Sequence, residues 1–170
     1  MSTLPTPDAA VVAADVARAL AEDLGSGDVT AALLPDQADS AYLLCKQDAV
    51  IAGRPWFDAT HRALDPDVRI EWRVADGDAV TAGTVLALLH GRSRSLVSAE
   101  RTSLNFLHTL SATATTTALY VAAVEGTGTR TLHPRKPLPG LRLAPKYAVR
   151  CGGGENHRFG LYHTVMRHEN

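Results

Sequence analysis

Three consecutive glycines, Gly152 to Gly154, are the feature that most constrains how this chain folds. They follow a short basic helix predicted over residues 146–151 and precede His157 and Arg158. Glycine adopts positive φ readily and lets backbone N–H groups come close to an anion. A helix that simply ends at glycine has a similar pattern. Because basic side chains flank the run, we interpret it as an anion-binding loop.

The charge distribution also favours an anionic ligand. The formal net charge of the chain is only -1, but residues 130–170 carry eight basic and two acidic side chains. Within this region Arg135 and Lys136 lie in a segment whose prolines restrict the backbone and so limit the entropy lost on binding. The region has few aromatic residues for base stacking and no nucleic-acid motif, so we do not expect a nucleic-acid partner.

The cysteines and histidines do not form a recognisable metal or redox pattern. Cys45 and Cys151 lie far apart, which is typical of a protein from a reducing compartment. The spacing of Cys151 with the C-terminal histidines matches none of the usual zinc sites, so we expect no metal held by these residues. With no signal peptide and no apolar run long enough to cross a membrane, the chain is predicted to be cytoplasmic and without a membrane partner.

The hydrophobic periodicity predicts a fold of the α/β class. An N-terminal α+β sandwich domain with its linking helix is expected over residues 1–111, and the beginning of an alternating β/α pattern over residues 112–170. The β-branched run Thr113–Thr117 could interrupt the longest helix. The predicted helices cover residues 8–23, 53–64 and 96–124, and the predicted strands cover residues 40–46, 49–52, 68–74, 85–89 and 130–132.

Four motifs, at residues 22–30, 100–107, 139–142 and 146–162, resemble the quinolinate phosphoribosyltransferase family, in the family's order. The resemblance implies that the sandwich domain is followed, over residues 112–170, by the first part of an incomplete (β/α) barrel. The strand ends of that barrel carry the active site, in a homodimer with shared sites. It also implies that a phosphoribosyl group passes from phosphoribosyl pyrophosphate to quinolinate. With decarboxylation this gives nicotinate mononucleotide, pyrophosphate and CO₂ in NAD biosynthesis. Mg²⁺ is expected with phosphoribosyl pyrophosphate, although the acidic residues that would serve it are absent from this chain.

The resemblance assigns roles to individual residues. Arg101 matches an arginine that reaches into the partner subunit's site. From the residues alone, it could equally form a solvent-exposed pair with Glu100 on the helix surface. Arg135 and Arg158 match arginines that bind the carboxylates of quinolinate, and a planar guanidinium suits that task. Lys136, which matches a lysine near phosphoribosyl pyrophosphate, and His157 are the catalytic candidates. Two further substrate-binding positions are occupied by Pro134 and His168.

The chain departs from the family motifs at several of these positions. The segment 133–137 reads His-Pro-Arg-Lys-Pro where the family has Asp-Thr-Arg-Lys-Thr. His163 stands in place of an aspartate, and His168 in place of a lysine. The chain stops at Asn170, whereas a complete (β/α) barrel needs about 250 residues. We therefore expect a truncated and weakly active or inactive version of the enzyme.

Two other functions remain open from the sequence. One is a related phosphoribosyltransferase-like paralogue associated with molybdenum transport; Arg101, Arg135 and Arg158 argue against it, because together they favour a dicarboxylate. The other is a non-catalytic dimerisation or binding module formed by the sandwich and its long helix. That module would form a stable dimer with no affinity for quinolinate.

Overall fold

The computed structural model describes residues 7–133 and 138–157. In chain order its elements are helix α1 (Ala9–Leu24), strands β1 (Ala38–Leu44) and β2 (Ala49–Val50), helix α2 (Arg54–Leu64), strands β3 (Arg69–Trp72), β4 (Ala79–Val80) and β5 (Val85–Arg92), helix α3 (Ser93–Ala123), strand β6 (Leu132–His133), helix α4 (Leu143–Cys151) and strand β7 (Glu155–Asn156). The predicted mixed α/β class is confirmed.

The strands of the N-terminal half form two antiparallel sheets. The larger has the order β1–β5–β3, and the smaller pairs β2 with β4. The neighbouring strands β1 and β2 therefore belong to different sheets. Leu89 of β5 lies opposite Ala41 on one side and Ile70 on the other, and its buried side chain faces the core. One sheet face packs on helices while the other carries exposed residues such as Tyr42, as antiparallel sheets commonly do.

Helix α3 links the two hydrophobic cores. Leu96 and Leu107 pack in the core under the larger sheet. Phe106, Leu110 and Ala114 pack in a second core that the helices share. Since burial of apolar surface is the main driving force of folding, this helix organises both halves of the chain. It runs without a break across the predicted domain boundary at residues 111 and 112, and that boundary stays a prediction.

The threonine run does not interrupt α3, so that expectation was wrong. The hydroxyls of Thr113, Thr115 and Thr117 donate to the backbone carbonyls of Thr109, Ser111 and Thr113 at 3.0, 2.7 and 2.7 Å. Threonine tolerates a helix interior when its hydroxyl bonds back to the preceding turn in this way. The β-branched side chains are therefore accommodated inside a continuous helix.

The C-terminal part is a β/α unit in which α4 connects two parallel strands. Leu132 of β6 lies opposite Glu155 of β7, and His133 lies opposite Asn156. Parallel strands joined through a helix are the unit from which β/α barrels are built. The architecture is thus an N-terminal α+β sandwich followed by the first part of a barrel. Among the described residues, no helix has the length and apolar character needed to span a bilayer.

Candidate active site

The carboxyl ends of β6 and β7 meet at one edge of the parallel pair. The backbone N–H of Glu155 donates to the carbonyl of Thr131 at 2.9 Å, and that of His157 donates to the carbonyl of His133 at 3.3 Å. In open parallel sheets, ligands bind outside this edge. His133 and His157 therefore mark the candidate site. The basic segment 134–137 and Arg158 follow them directly in the chain.

The described part of the chain contains two of the predicted site residues. His157 is exposed just beyond β7, and Arg101 is exposed on α3 rather than on the strand edge. The other predicted site residues and two of the motif departures lie outside the described residues: Pro134, Arg135, Lys136, Arg158 and His168, with Pro137 and His163.

The glycine run caps α4. The N–H of Gly152 donates to the carbonyl of Ala148 at 3.0 Å, that of Gly153 to Arg150 at 3.1 Å, and that of Gly154 to Val149 at 2.9 Å. The last two bonds form a Schellman motif, with Gly153 in the left-handed region at φ 81°. The interpretation of this run as a backbone cradle for an anion is wrong, because all three amides are used within the chain.

Packing against α3 explains why the run consists of glycines. A Cβ on Gly152 would lie 2.3 Å from the carbonyl oxygen of Ala114, and a Cβ on Gly154 would lie 2.7 Å from Cγ2 of Thr117. Only a residue without a side chain allows the backbone to come this close. The glycines therefore seat the chain leading into β7 against α3. The amides of the glycine run are therefore not donors to an anion at this edge.

Lys146 is a cation that the sequence reasoning did not single out as a site residue. Its side chain is only 1% exposed, and its backbone carbonyl accepts a hydrogen bond from Nδ2 of Asn156 at 3.0 Å. Burial lowers the pKa of Lys146, and the nearby charge of Arg142 adds to the effect. In the sequence, the burial of Lys146 is indicated only by the small apolar residues near it in α4, of which Ala144 and Ala148 are also buried.

The described residues do not offer a ligand set for a metal ion. Residues 7–133 and 138–157 contain no group of three or more histidine, cysteine, aspartate or glutamate side chains arranged to hold one. Mg²⁺ prefers several oxygen ligands in an octahedral arrangement. This part of the chain therefore does not fit a resident Mg²⁺.

Family models match most of the chain. Residues 28–111 match the N-terminal domain of quinolinate phosphoribosyl transferase, and residues 113–170 match its C-terminal domain. The two matches meet within α3, and the second includes both strands of the candidate site.

Individual relatives agree with these matches. The chain is 43% identical over 155 residues to the chloroplastic nicotinate-nucleotide pyrophosphorylase [carboxylating] of Arabidopsis thaliana, covering 89% of this chain and 44% of the relative. It is 39% identical over 150 residues to a probable enzyme of the same name from Bacillus subtilis, covering 88% and 52%. The chain thus spans about half the length of these relatives.

Solved structures show the same fold. The nicotinate-nucleotide pyrophosphorylase of Francisella tularensis superposes with a TM-score of 0.90 at 38% identity, over 95% of this chain and 59% of the other. A structure from Streptococcus pyogenes superposes with a TM-score of 0.89 at 35% identity, over 92% and 56%.

Proposed function

We propose a function from one premise, which is that this chain belongs to the quinolinate phosphoribosyltransferase family. The proposed function is the transfer of a phosphoribosyl group to quinolinate with decarboxylation. The observation that carries the proposal is the edge of the parallel pair, where His133 and His157 are joined by a backbone hydrogen bond of 3.3 Å. The segments that follow these two histidines in the sequence carry the basic residues Arg135, Lys136 and Arg158. The domain division and the individual site roles are parts of the same proposal.

Quinolinate is a pyridine ring with two adjacent carboxylates, so a site that selects it needs more than one cation. Arg135 and Arg158 are the proposed carboxylate ligands, because a guanidinium forms two parallel hydrogen bonds with a carboxylate. The capped glycine run leaves this task to side chains. The excess of basic residues over 130–170 supports the assignment.

The proposed reaction forms two bonds to carbon and breaks two. The ring nitrogen attacks the anomeric carbon of phosphoribosyl pyrophosphate, and the bond to pyrophosphate breaks with its electron pair leaving on the pyrophosphate. Lys136 is the proposed cation that stabilises this developing charge. The pyridinium then takes up the electrons released as the carboxylate beside the ring nitrogen leaves as CO₂. A proton replaces the carboxylate on that carbon, and His157 is our candidate to supply it.

Mg²⁺ is proposed only as a companion of the pyrophosphate group. Its charge would offset that of the phosphates. The described residues provide no ligand set for it.

Arg101 is proposed to serve the site of a second copy in a homodimer. Its side chain is exposed on α3, and among the described residues it forms no ion pair. A long cation presented on a rigid helix is suited to reach a carboxylate on a neighbouring molecule.

A single-turnover experiment tests the proposed reaction. The purified chain is mixed with quinolinate, phosphoribosyl pyrophosphate and Mg²⁺, and nicotinate mononucleotide and released CO₂ are measured together. We expect slow formation of both products in equal amounts, because Pro134 and His168 replace side chains of the family motifs. The Lys136→Ala variant should form less of both. No binding of quinolinate, or release of CO₂ without nicotinate mononucleotide, would contradict the proposal.

A further inference from the structure

Helix α4 begins at the same edge of the parallel pair as the candidate site. A helix that joins two parallel strands runs against them, so its N-terminal end lies beside the carboxyl ends of the strands. One hydrogen bond fixes this arrangement, because Nδ2 of Asn156 donates to the backbone carbonyl of Lys146 at 3.0 Å. Asn156 lies opposite His133 in the parallel pair and directly precedes His157. Contacts among described residues therefore connect Lys146 to both histidines that mark the site.

Two cations lie at this end of the helix. Arg142 directly precedes α4 and is exposed, whereas Lys146, one helical turn later, is only 1% exposed. Long side chains in a helix lean towards its N-terminus, so the Lys146 side chain extends in the direction of Arg142. Burial lowers the pKa of Lys146 and the like charge of Arg142 lowers that pKa further, which agrees with this direction. Arg142 and Lys146 are thus neighbouring cations.

The start of α4 adds no negative charge to these two cations. Its first turn contains no acidic residue, and the Arg142 side chain forms no capping hydrogen bond there. The N-terminal end of a helix carries a partial positive charge, which favours acidic side chains and disfavours basic ones. Burying a lysine adds a further cost, since the ammonium loses contact with water. An anion at the strand edge would be attracted by both cations and would offset their repulsion.

We propose that Arg142 and Lys146 form a positively charged wall of the substrate site, which strengthens the binding of an anion in proportion to the charge of that anion. This inference rests on the proposed function and adds to it two cations from the described part of the chain. Lys146 acts through its charge, because its side chain is covered. Arg142 is exposed, and its planar guanidinium is suited to contact a carboxylate or a phosphate.

A series of anions titrated into the full chain tests the proposal. Nicotinate carries one negative charge, quinolinate carries two, and inorganic pyrophosphate without Mg²⁺ carries more. Lys146→Met removes the charge and keeps most of the aliphatic stem, and Arg142→Met does the same at an exposed position. Arg130→Met is the matched control, because Arg130 pairs with Glu155 at the opposite, amino-terminal edge of the same strands. Calorimetry gives the dissociation constants, and circular dichroism checks that each variant is folded.

We expect Lys146→Met and Arg142→Met each to weaken nicotinate binding by about threefold and quinolinate binding by about tenfold, because Coulomb energy is proportional to ligand charge. The loss for pyrophosphate should be larger still. Lys146→Arg keeps the charge and should retain most of the affinity, and Arg130→Met should leave all three dissociation constants unchanged. Losses that are equal for the three anions, or no larger than those of Arg130→Met, would overturn the proposal. If Lys146→Met does not fold, Arg142→Met decides.

The two proposals fail separately. If the chain binds pyrophosphate but not quinolinate, the proposed function fails, and the loss of pyrophosphate affinity in the variants decides whether the wall exists. If quinolinate binds equally well to the unsubstituted chain and to both variants, the wall fails and the proposed function stands. Binding of neither quinolinate nor pyrophosphate would contradict both.

Discussion

Gly152 lies so close to α3 that a Cβ would come within 2.3 Å of the carbonyl oxygen of Ala114. Its φ of -80° is one that any residue adopts, so the contact alone demands glycine. Gly152→Ala should therefore lower the free energy of unfolding by about 3 kcal/mol, within the range for overpacking. Urea unfolding followed by circular dichroism measures the loss.

Gly153 is the control for that substitution. A Cβ there would have only ordinary contact with Val121, at 3.7 Å, but the backbone is left-handed. Gly153→Ala should cost about 1–2 kcal/mol, the usual penalty for a side chain in this conformation. If Gly153→Ala costs as much as Gly152→Ala, close approach to α3 is not the reason for the glycine run.

His61 should make stability depend on pH. Its side chain is 4% exposed, and burial lowers its pKa to about 4. Its Nε2 lies 3.2 Å from the hydroxyl of Ser103, and that hydroxyl donates to the carbonyl of Glu100 at 3.0 Å. The hydroxyl oxygen is therefore left to accept from Nε2–H, which selects the Nε2–H tautomer when the imidazole is neutral.

The folded pKa of His61 lies below the unfolded value of 6.5, so the unfolded chain binds more protons between these values. The contribution of neutral His61 to the free energy of unfolding is fully present above pH 6.5. It should decrease as the pH falls, with a loss of about 3 kcal/mol at pH 4. Asp58 and Asp76, whose pKa values are raised by burial, act in the opposite direction. The pH dependence of the free energy of unfolding should therefore be compared between the unsubstituted chain and His61→Gln, by urea unfolding at several pH values. Equal pH dependence in both proteins would contradict the assignment to His61.

At the scale of elements, Thr115 joins α3 to the smaller sheet. Its Oγ1 donates to the carbonyl of Ser111 and accepts the backbone N–H of Val50 at 2.9 Å. Thr115→Val would leave that N–H without its acceptor, and should cost about 1–2 kcal/mol of unfolding free energy. Thr113→Val, which removes the same bond within the helix, should cost clearly less. Denaturant unfolding of both variants measures the difference, and equal losses would show that the bond to Val50 contributes little.

The helices could be predicted from local pattern, and the strand partners could not. The spacing of Val12, Val16 and Leu20 predicts one buried face, and all three are buried in α1. Strand pairing depends on contacts far apart in the chain, so nothing near Ala49 indicates that it lies opposite Val80. The threonine run was misjudged because a propensity argument omits the hydrogen bond from each hydroxyl to the preceding turn.

The candidate site was predictable only in part, for a similar reason. The alternation of strand and helix near the C-terminus predicts a β/α pattern, but it indicates neither strand β7 nor the meeting of His133 and His157 at one edge. The sequence allows two interpretations of the glycine run, an anion-binding loop or the end of a helix. The capping hydrogen bonds decide for the helix end. The close approach to Ala114, almost forty residues earlier, could not be predicted from either.

At the scale of the whole molecule, the proposed homodimer with shared sites predicts that two defective chains can complement each other. Arg101→Ala and Arg135→Ala should each abolish quinolinate binding on their own. Mixed in equal amounts and allowed to exchange subunits, they should regain about one quarter of the sites, because half of the dimers contain one intact site of two. Calorimetric stoichiometry measures this. If Arg101 serves its own chain, mixing restores nothing.

The central claim is that the basic edge beyond β6 and β7 selects a pyridine dicarboxylate. Quinolinate and nicotinate differ by one carboxylate, so their dissociation constants for the unsubstituted chain test the claim most directly. We expect quinolinate to bind at least about tenfold more tightly, since a charge-assisted hydrogen-bonded pair contributes about 1.5–3 kcal/mol. Equal affinities, or no binding of quinolinate, would contradict the assignment.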